Sequence, residues 1–136
     1  MLVSNLLAIH QKKYIGKLSA FCGAVSAGYA CGAAITYMLG GNFNQIANTI
    51  INTLANTSGI ICDGAKPSCA AKISSALDAA LLAHTMSMHD DVFHADEGIV
   101  KDDLEKTIRA VGYIGREGMK STDIEVLNIM IDKVCP

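Results

Sequence analysis

Tryptophan is absent from this 136-residue chain, phenylalanine occurs three times, and aromatic residues amount to 5%. An aromatic-filled sheet sandwich would need more of them, whereas abundant Ala, Gly and Ser suit close helix packing. Proline is scarce as well: only Pro67 and Pro136 occur, so long helices are permitted almost everywhere. Charged residues make up 18% and the formal net charge is -2. That leaves no broad basic surface, and a nucleic-acid partner is not expected. The length suits one domain and is too short for two catalytic ones.

Five cysteines are the informative excess. An odd number argues against a closed disulfide framework, and the first residues lack the basic region, long apolar stretch and cleavage site of a secretory signal. Reduced thiols in a cytoplasmic setting are expected, which favours metal, cluster or catalytic chemistry over stapling. Leu18 to Cys62 contains no charged side chain over 45 residues, and its first half, Leu18 to Leu39, is long enough to span a bilayer, with Gly28 and Gly32 as a small-residue pair. Against a membrane stand the small residues of that stretch and the amides of Asn42, Asn44, Gln45, Asn48, Asn52 and Asn56 that follow. The expectation is a central helix buried on all sides and no membrane partner.

Periodicity and punctuation place the elements. A short apolar helix runs from Met1 to about Gln11, followed by a basic turn at Lys12 and Lys13 and then Gly16. The second helix spans about Lys17 to Leu39 and stops at Gly40 and Gly41, with Asn42 as the cap of the next. The third, about Phe43 to Asn56, sets Ile46, Ile50 and Leu54 on one face with Ile51 alongside. Thr57 to Gly59 break it, and a loop follows to Pro67. Pro67 opens a fourth helix that continues to about Met88, with Ile73, Leu77, Leu81, His84 and Met88 giving the period. His89 to Gly98 reads as an exposed connector facing solvent. A fifth helix, about Lys101 to Arg116, carries the stripe Leu104, Ile108, Val111 and Ile114 or Gly115. The sixth starts at a Ser121 or Thr122 cap, with Asp123 and Glu125 in its first turn and Leu127, Met130, Ile131 and Val134 turned inside. The expected fold is all-α, a single compact bundle of about six helices with a long buried central helix.

Chemistry concentrates in Gly59-Ile60-Ile61-Cys62-Asp63-Gly64-Ala65-Lys66-Pro67-Ser68-Cys69-Ala70-Ala71-Lys72. Cys62 and Cys69 straddle a glycine turn and end at a helix N-terminus, where unpaired amides and the helix dipole favour thiolate and Lys66 or Lys72 adds positive charge. Alone, a pair separated by six residues is a weak signal, because zinc sites use shorter spacings. His84, His89 and His94 recur every five residues among Asp90, Asp91 and Asp96. Five helical residues turn through about 500°, so these imidazoles do not share a face and a metal-site reading is not favoured. Cys31, nine residues after Cys22, reads as a small core residue. Phosphate loops, serine elbows and dinucleotide fingerprints are missing.

Taken with Leu18-Ser19-Ala20-Phe21-Cys22-Gly23-Ala24, Ser58 to Lys66, and Ser68-Cys69-Ala70-Ala71-Lys72, the chain resembles the iron-sulfur serine dehydratase-like alpha family. Asp96-Glu97-Gly98-Ile99-Val100 and Glu125-Val126-Leu127-Asn128-Ile129-Met130 extend the likeness over nearly the whole chain. The separations, 40 residues from Cys22 to Cys62 and seven to Cys69, are similar to the L-cysteine desulfidase branch.

The resemblance implies a 4Fe-4S cluster held by Cys22, Cys62 and Cys69, with one iron left open as a Lewis acid for the leaving group at the substrate's β carbon. It also implies β-elimination from L-cysteine to pyruvate, ammonia and sulfide, with L-serine as the alternative substrate. Asp63, Gly64, Lys66 and Ser68 would surround cluster or substrate. Lys72, one turn beyond Cys69, is the candidate for proton transfer or carboxylate binding. Cys135, on the tail, is a candidate to occupy the open iron position. Such clusters are oxygen-sensitive, so an isolated preparation can lack iron or carry zinc.

Family members are considerably longer, and their amino-terminal part carries an ALGCTEP-like segment and substrate loops that are not found here. Residues 1–136 therefore look like a carboxy-terminal, cluster-binding domain, from a truncated or a split enzyme, that needs an amino-terminal domain or separate subunit for activity. The competing expectation is a non-catalytic helical module associating with that part or with itself as a homo-oligomer.

Overall fold

The computed structural model describes residues 1–133, and they are helical: α1 Leu2–Ile15, α2 Gly23–Met38, α3 Phe43–Thr57, α4 Pro67–Met88, α5 Leu104–Tyr113 and α6 Lys120–Met130. A π-helical turn, Ile114–Gly118, joins α5 to α6. No helix of the described residues is long and apolar enough to cross a membrane.

Local signals fix two helix starts. Asn42 accepts from the Gln45 amide and the Gln45 side chain accepts from the Asn42 amide, both at 3.0 Å, closing a capping box ahead of α3. Pro67 occupies the first turn of α4, where no amide is needed.

The center is α2, packed against α1, α3 and α4. Its contact with α4 is made of the smallest side chains. A Cβ on Gly28 would lie 2.8 Å from the Ala76 Cβ and carbonyl oxygen, and one on Gly32 would lie 2.9 Å from the Ala80 Cβ. The backbones approach because nothing larger is present, and extra methyl groups in such a seam cost about 1–3 kcal/mol. Deeper in, the Thr36 hydroxyl lies 2.9 Å from both Thr49 Oγ1 and His84 Nδ1, so one buried polar node joins α2, α3 and α4. Around α2 the core gathers Ile15, Phe21, Val25, Tyr29, Ile50, Leu54, Ile108 and Val111.

Several expectations are corrected. α1 runs on to Ile15, so Lys12 and Lys13 sit in its last turn, where cations complement the helix dipole, and Gly16 ends it at φ 95°. α2 begins only at Gly23, because residues 20–22 are drawn into pairing with residues 60–62. α5 is shorter than expected at both ends, giving way to the π-turn. α6 follows that turn directly at Met119 with no Ser121 or Thr122 cap.

The faces of two helices also differ. α4 buries Ala76, Ala79, Ala80, Ala83 and Ser87, while Ile73, Leu77, Leu81 and Met88 are exposed. α6 buries nothing: Leu127, Met130 and Ile131 are exposed, and Val134 lies outside the described residues. The 89–98 connector is held as well as solvated. Buried Asn52 donates to the Asp91 carbonyl and accepts from the Phe93 amide, each at 3.0 Å.

α1 is joined to α5 through Glu105, which accepts from the Tyr14 hydroxyl at 2.5 Å, lies 2.8 Å from His10 Nε2 and accepts from Arg109 Nε at 3.2 Å. The Tyr14 hydrogen bond, helped by His10 and Arg109 and opposed by burial, holds the carboxyl at about 2, well below its ordinary value. A carboxyl depressed in the folded state stabilizes above its unfolded pKa and ceases to do so as the pH falls through the folded one. With 36% of the side chain exposed, solvent screening limits this to about 1 kcal/mol. Glu105→Gln is expected to lower the urea-unfolding free energy by about that amount at neutral pH, with the difference shrinking as the pH falls from about 4.5 towards 2. A difference that stays constant over that range contradicts the assignment.

Candidate metal centre

Two irregular stretches meet beside the core. Phe21 and Ile61 form an antiparallel bridge, in which the Cys22 amide donates to the Ile60 carbonyl at 3.1 Å and the Cys62 amide donates to the Ala20 carbonyl at 2.6 Å. Cys22 stands opposite Ile60, which makes Cys62 its diagonal neighbor on the same side of this short ribbon. Ser19 steadies the first stretch: its hydroxyl accepts from the Phe21 amide at 3.0 Å and donates to the Gly115 carbonyl at 2.5 Å. Cys22 is 2% exposed and occupies the N-cap of α2, while Cys62 is half-buried against the core.

Cys69 sits in the first turn of α4, half-buried, with its amide donating to the Lys66 carbonyl at 2.8 Å. The N-termini of α2 and α4 have neither a side-chain cap nor an acidic residue in the first turn, so each leaves amides unpaired. One turn beyond Cys69, Lys72 reaches back to the ribbon. Its ammonium donates to the Ile61 carbonyl at 2.9 Å and forms an ion pair with Asp63.

The Asp63 hydrogen bond, with added charge from Asp63, Cys22 and Cys62, raises the Lys72 pKa above the ordinary lysine value against the effect of burial. Lys72 in turn holds Asp63 below the usual carboxylate range. A lysine so placed is a fixed cation beside two thiols and a poor proton acceptor.

The remaining candidates are distributed around this ribbon. Gly64, at φ 93°, makes the turn with a conformation that L side chains rarely adopt, and a Cβ there would lie 3.6 Å from Met130 Cε. Lys66 and Ser68 are exposed. Asp63 and Lys66 line an open groove of about 460 Å³ with Val126, Ile129 and Met130 of α6.

Cys22, Cys31, Cys62 and Cys69 are free thiols. Cys31 is only half-buried and does not belong to the buried core. Cys135 lies outside the described residues. His84 is taken up by Thr36, while His89 and His94 are exposed, so the three histidines do not converge. Among the described residues no three His, Cys, Asp or Glu side chains stand close enough to share one metal ion. The element that sequence reading missed is the Phe21–Ile61 bridge. Its only local signal is that apolar residues precede both Cys22 and Cys62 in stretches otherwise rich in Gly and Ser.

The family model described as serine dehydratase alpha chain matches residues 1–128. The chain belongs to this family. Proteins similar to it include UPF0597 proteins of Treponema denticola (60% identical over 131 residues, 96% of this chain), Lachnoclostridium phytofermentans (56% over 132, 97%) and Finegoldia magna (53% over 133, 98%). The matched stretch is 30% of the first protein and 32% of the other two, so this serine dehydratase alpha family chain spans about a third of their length. No solved structure matches it.

Lys72 is expected to be acetylated several-fold more slowly than the exposed Lys17, and Asp63→Asn to narrow the gap by removing the main partner of the ammonium. Peptide mapping after partial acetylation measures both. Equal rates at Lys72 and Lys17 in the wild type contradict the anchored geometry.

Proposed function

We propose that this chain is the carboxy-terminal, cluster-binding part of an iron-sulfur lyase that eliminates the β substituent of L-cysteine to give pyruvate, ammonia and sulfide. The observation that carries the reading is the bridge that sets Cys22 beside Cys62, with α4, the helix of Cys69, tied to the same ribbon through Lys72. The donor set fits a 4Fe-4S cluster in its chemistry: three soft, free thiols near two uncapped helix N-termini and one fixed cation. A four-iron cube is wider than a single ion and takes each thiolate on a different iron, so it does not call for the tight convergence of a zinc site. Cys22, Cys62 and Cys69 would hold it.

When bound, such a cluster supplies a Lewis-acidic iron for the leaving group. The chain's own residues have other tasks. Cys22 and Cys62 are positioned by backbone hydrogen bonds, so their spacing follows from the ribbon and not from side-chain freedom. Lys72, with Asp63, holds the ribbon to the first turns of α4 and keeps positive charge beside the sulfurs. Lys66, exposed on the groove that Asp63 also lines and with no ion-pair partner among the described residues, offers a cation for the carboxylate of an amino-acid substrate. The Lys72 ammonium is committed to Asp63 and the Ile61 carbonyl, so the α-proton base is assigned to the part of the protein that the longer relatives carry.

Cysteine as substrate rests on the resemblance of the Cys22, Cys62 and Cys69 spacing to the L-cysteine desulfidase branch. The family model is described as serine dehydratase, so L-serine is the second substrate to assay. A cytoplasmic setting, where thiols stay reduced, suits both.

Anaerobic reconstitution with iron and sulfide is expected to load the wild-type chain with equal iron and acid-labile sulfide and an iron-sulfur charge-transfer absorption. Cys22→Ser, Cys62→Ser and Cys69→Ser should each lose most of it, and Cys31→Ser should retain it. Unchanged iron uptake in the first three variants would falsify the ligand assignment.

A further inference from the structure

Two helices in contact leave a groove on each side. In the α2–α4 pair, α3 fills one of them: Thr49 of α3 meets Thr36 of α2 and lies 3.3 Å from a Cβ on Gly32, while Asn56 and Thr57 border Ser75, Asp78 and Leu82 of α4. The opposite groove has no occupant among the described residues, since α1 packs on α2 and α5 without reaching α4.

That open side carries the apolar stripe of α4. Ile73, Leu77 and Leu81 follow one another at four-residue intervals and are 52%, 36% and 44% exposed, and Met88 continues the row. From α2, Cys31 and Ile35 border the same groove, half-buried. They lie one helical step from the Gly28 and Gly32 seam, on the side away from Thr36. A contiguous row of large apolar side chains on an exposed helix face marks an interaction surface.

We propose that this groove seats an amphipathic helix from the portion of the protein that the longer relatives carry, whether fused to this chain or supplied as a separate chain. The inference rests on the reading of this chain as one part of a larger lyase. The length argument favors that occupant over a second copy. The Treponema denticola relative has about 300 residues beyond the stretch matched at 60% identity, ample to cover the face. The groove belongs to the same α2–α4 pair whose N-termini carry Cys22 and Cys69, so a helix seated there would couple the incoming part to the thiol site through rigid elements.

The test co-expresses this chain with the remaining portion of the Treponema denticola relative, so that neither has to fold alone, and scores co-purification. The wild type is expected to co-purify, the exposed-face variant Leu77→Lys/Leu81→Lys to do so about tenfold less, and the control Leu6→Lys on α1 to match the wild type. Circular dichroism of each variant checks that the helices are intact. Undiminished co-purification of the α4 variant overturns the surface. Failure of the wild type to co-purify overturns the occupant, as does light scattering that shows a dimer of this chain alone, dissociated by Leu77→Lys/Leu81→Lys. Iron uptake by the wild-type chain, measured separately, reports on the cluster reading, so the two can fail independently.

Discussion

One antiparallel bridge, Phe21 with Ile61, joins two stretches of chain 40 residues apart and fixes Cys22 and Cys62 relative to one another. On one side of the ribbon it feeds the core with Phe21, and at its ends it fixes the backbone of Cys22 and Cys62 by hydrogen bonds between main-chain groups. Backbone pairing positions a thiol more strictly than side-chain packing does, because it removes the φ and ψ freedom of the residue that carries it. Ser19 and Lys72 extend the same constraint in two directions, one to the π-turn after α5 and the other to the first turns of α4.

The helices that carry the ribbon are held by small residues. Glycine and alanine along α2 and α4 bury little apolar area each, yet they let the helix backbones come close enough for Thr36, Thr49 and His84 to share a buried polar node. This arrangement assigns large apolar residues elsewhere. Some form the core around Tyr29, Ile50, Leu54 and Ile108, and many others lie on outward faces of α1, α4 and α6. The chain spans about a third of the length of these relatives, and the apolar row of α4 is turned outward.

Much of this was legible in the sequence where the signal is local. Asn42 marked the start of α3, Pro67 that of α4, and the cysteines that carry the family resemblance pointed to the stretches that the ribbon joins. Non-local pairing was not legible: nothing within residues 17–22 says that they leave the helix to meet residues 60–62, and so α2 was expected to begin six residues too early. The inward face of α6 was misassigned, and the outward direction of the α4 period was not foreseen, for a related reason. Periodicity shows that Ile73, Leu77 and Leu81, or Leu127 and Met130, share a side, but it does not show whether this chain or another covers it. In α4 the alanines won the interior because α2 presents glycines there. Cys69 and Lys66 fell where their helix N-terminus was expected, while the anchoring of Lys72 depends on Ile61 and Asp63 folding back, which spacing alone does not encode.

The account depends most on the ribbon, and amide hydrogen exchange read by NMR tests it directly. The Cys22 and Cys62 amides are predicted to exchange slowly and at matching rates, as partners in one hydrogen-bonded unit, well below the rate at exposed Leu18. If both amides exchange at the rate of Leu18, the two stretches are not paired, and the register that sets Cys22 beside Cys62 is contradicted.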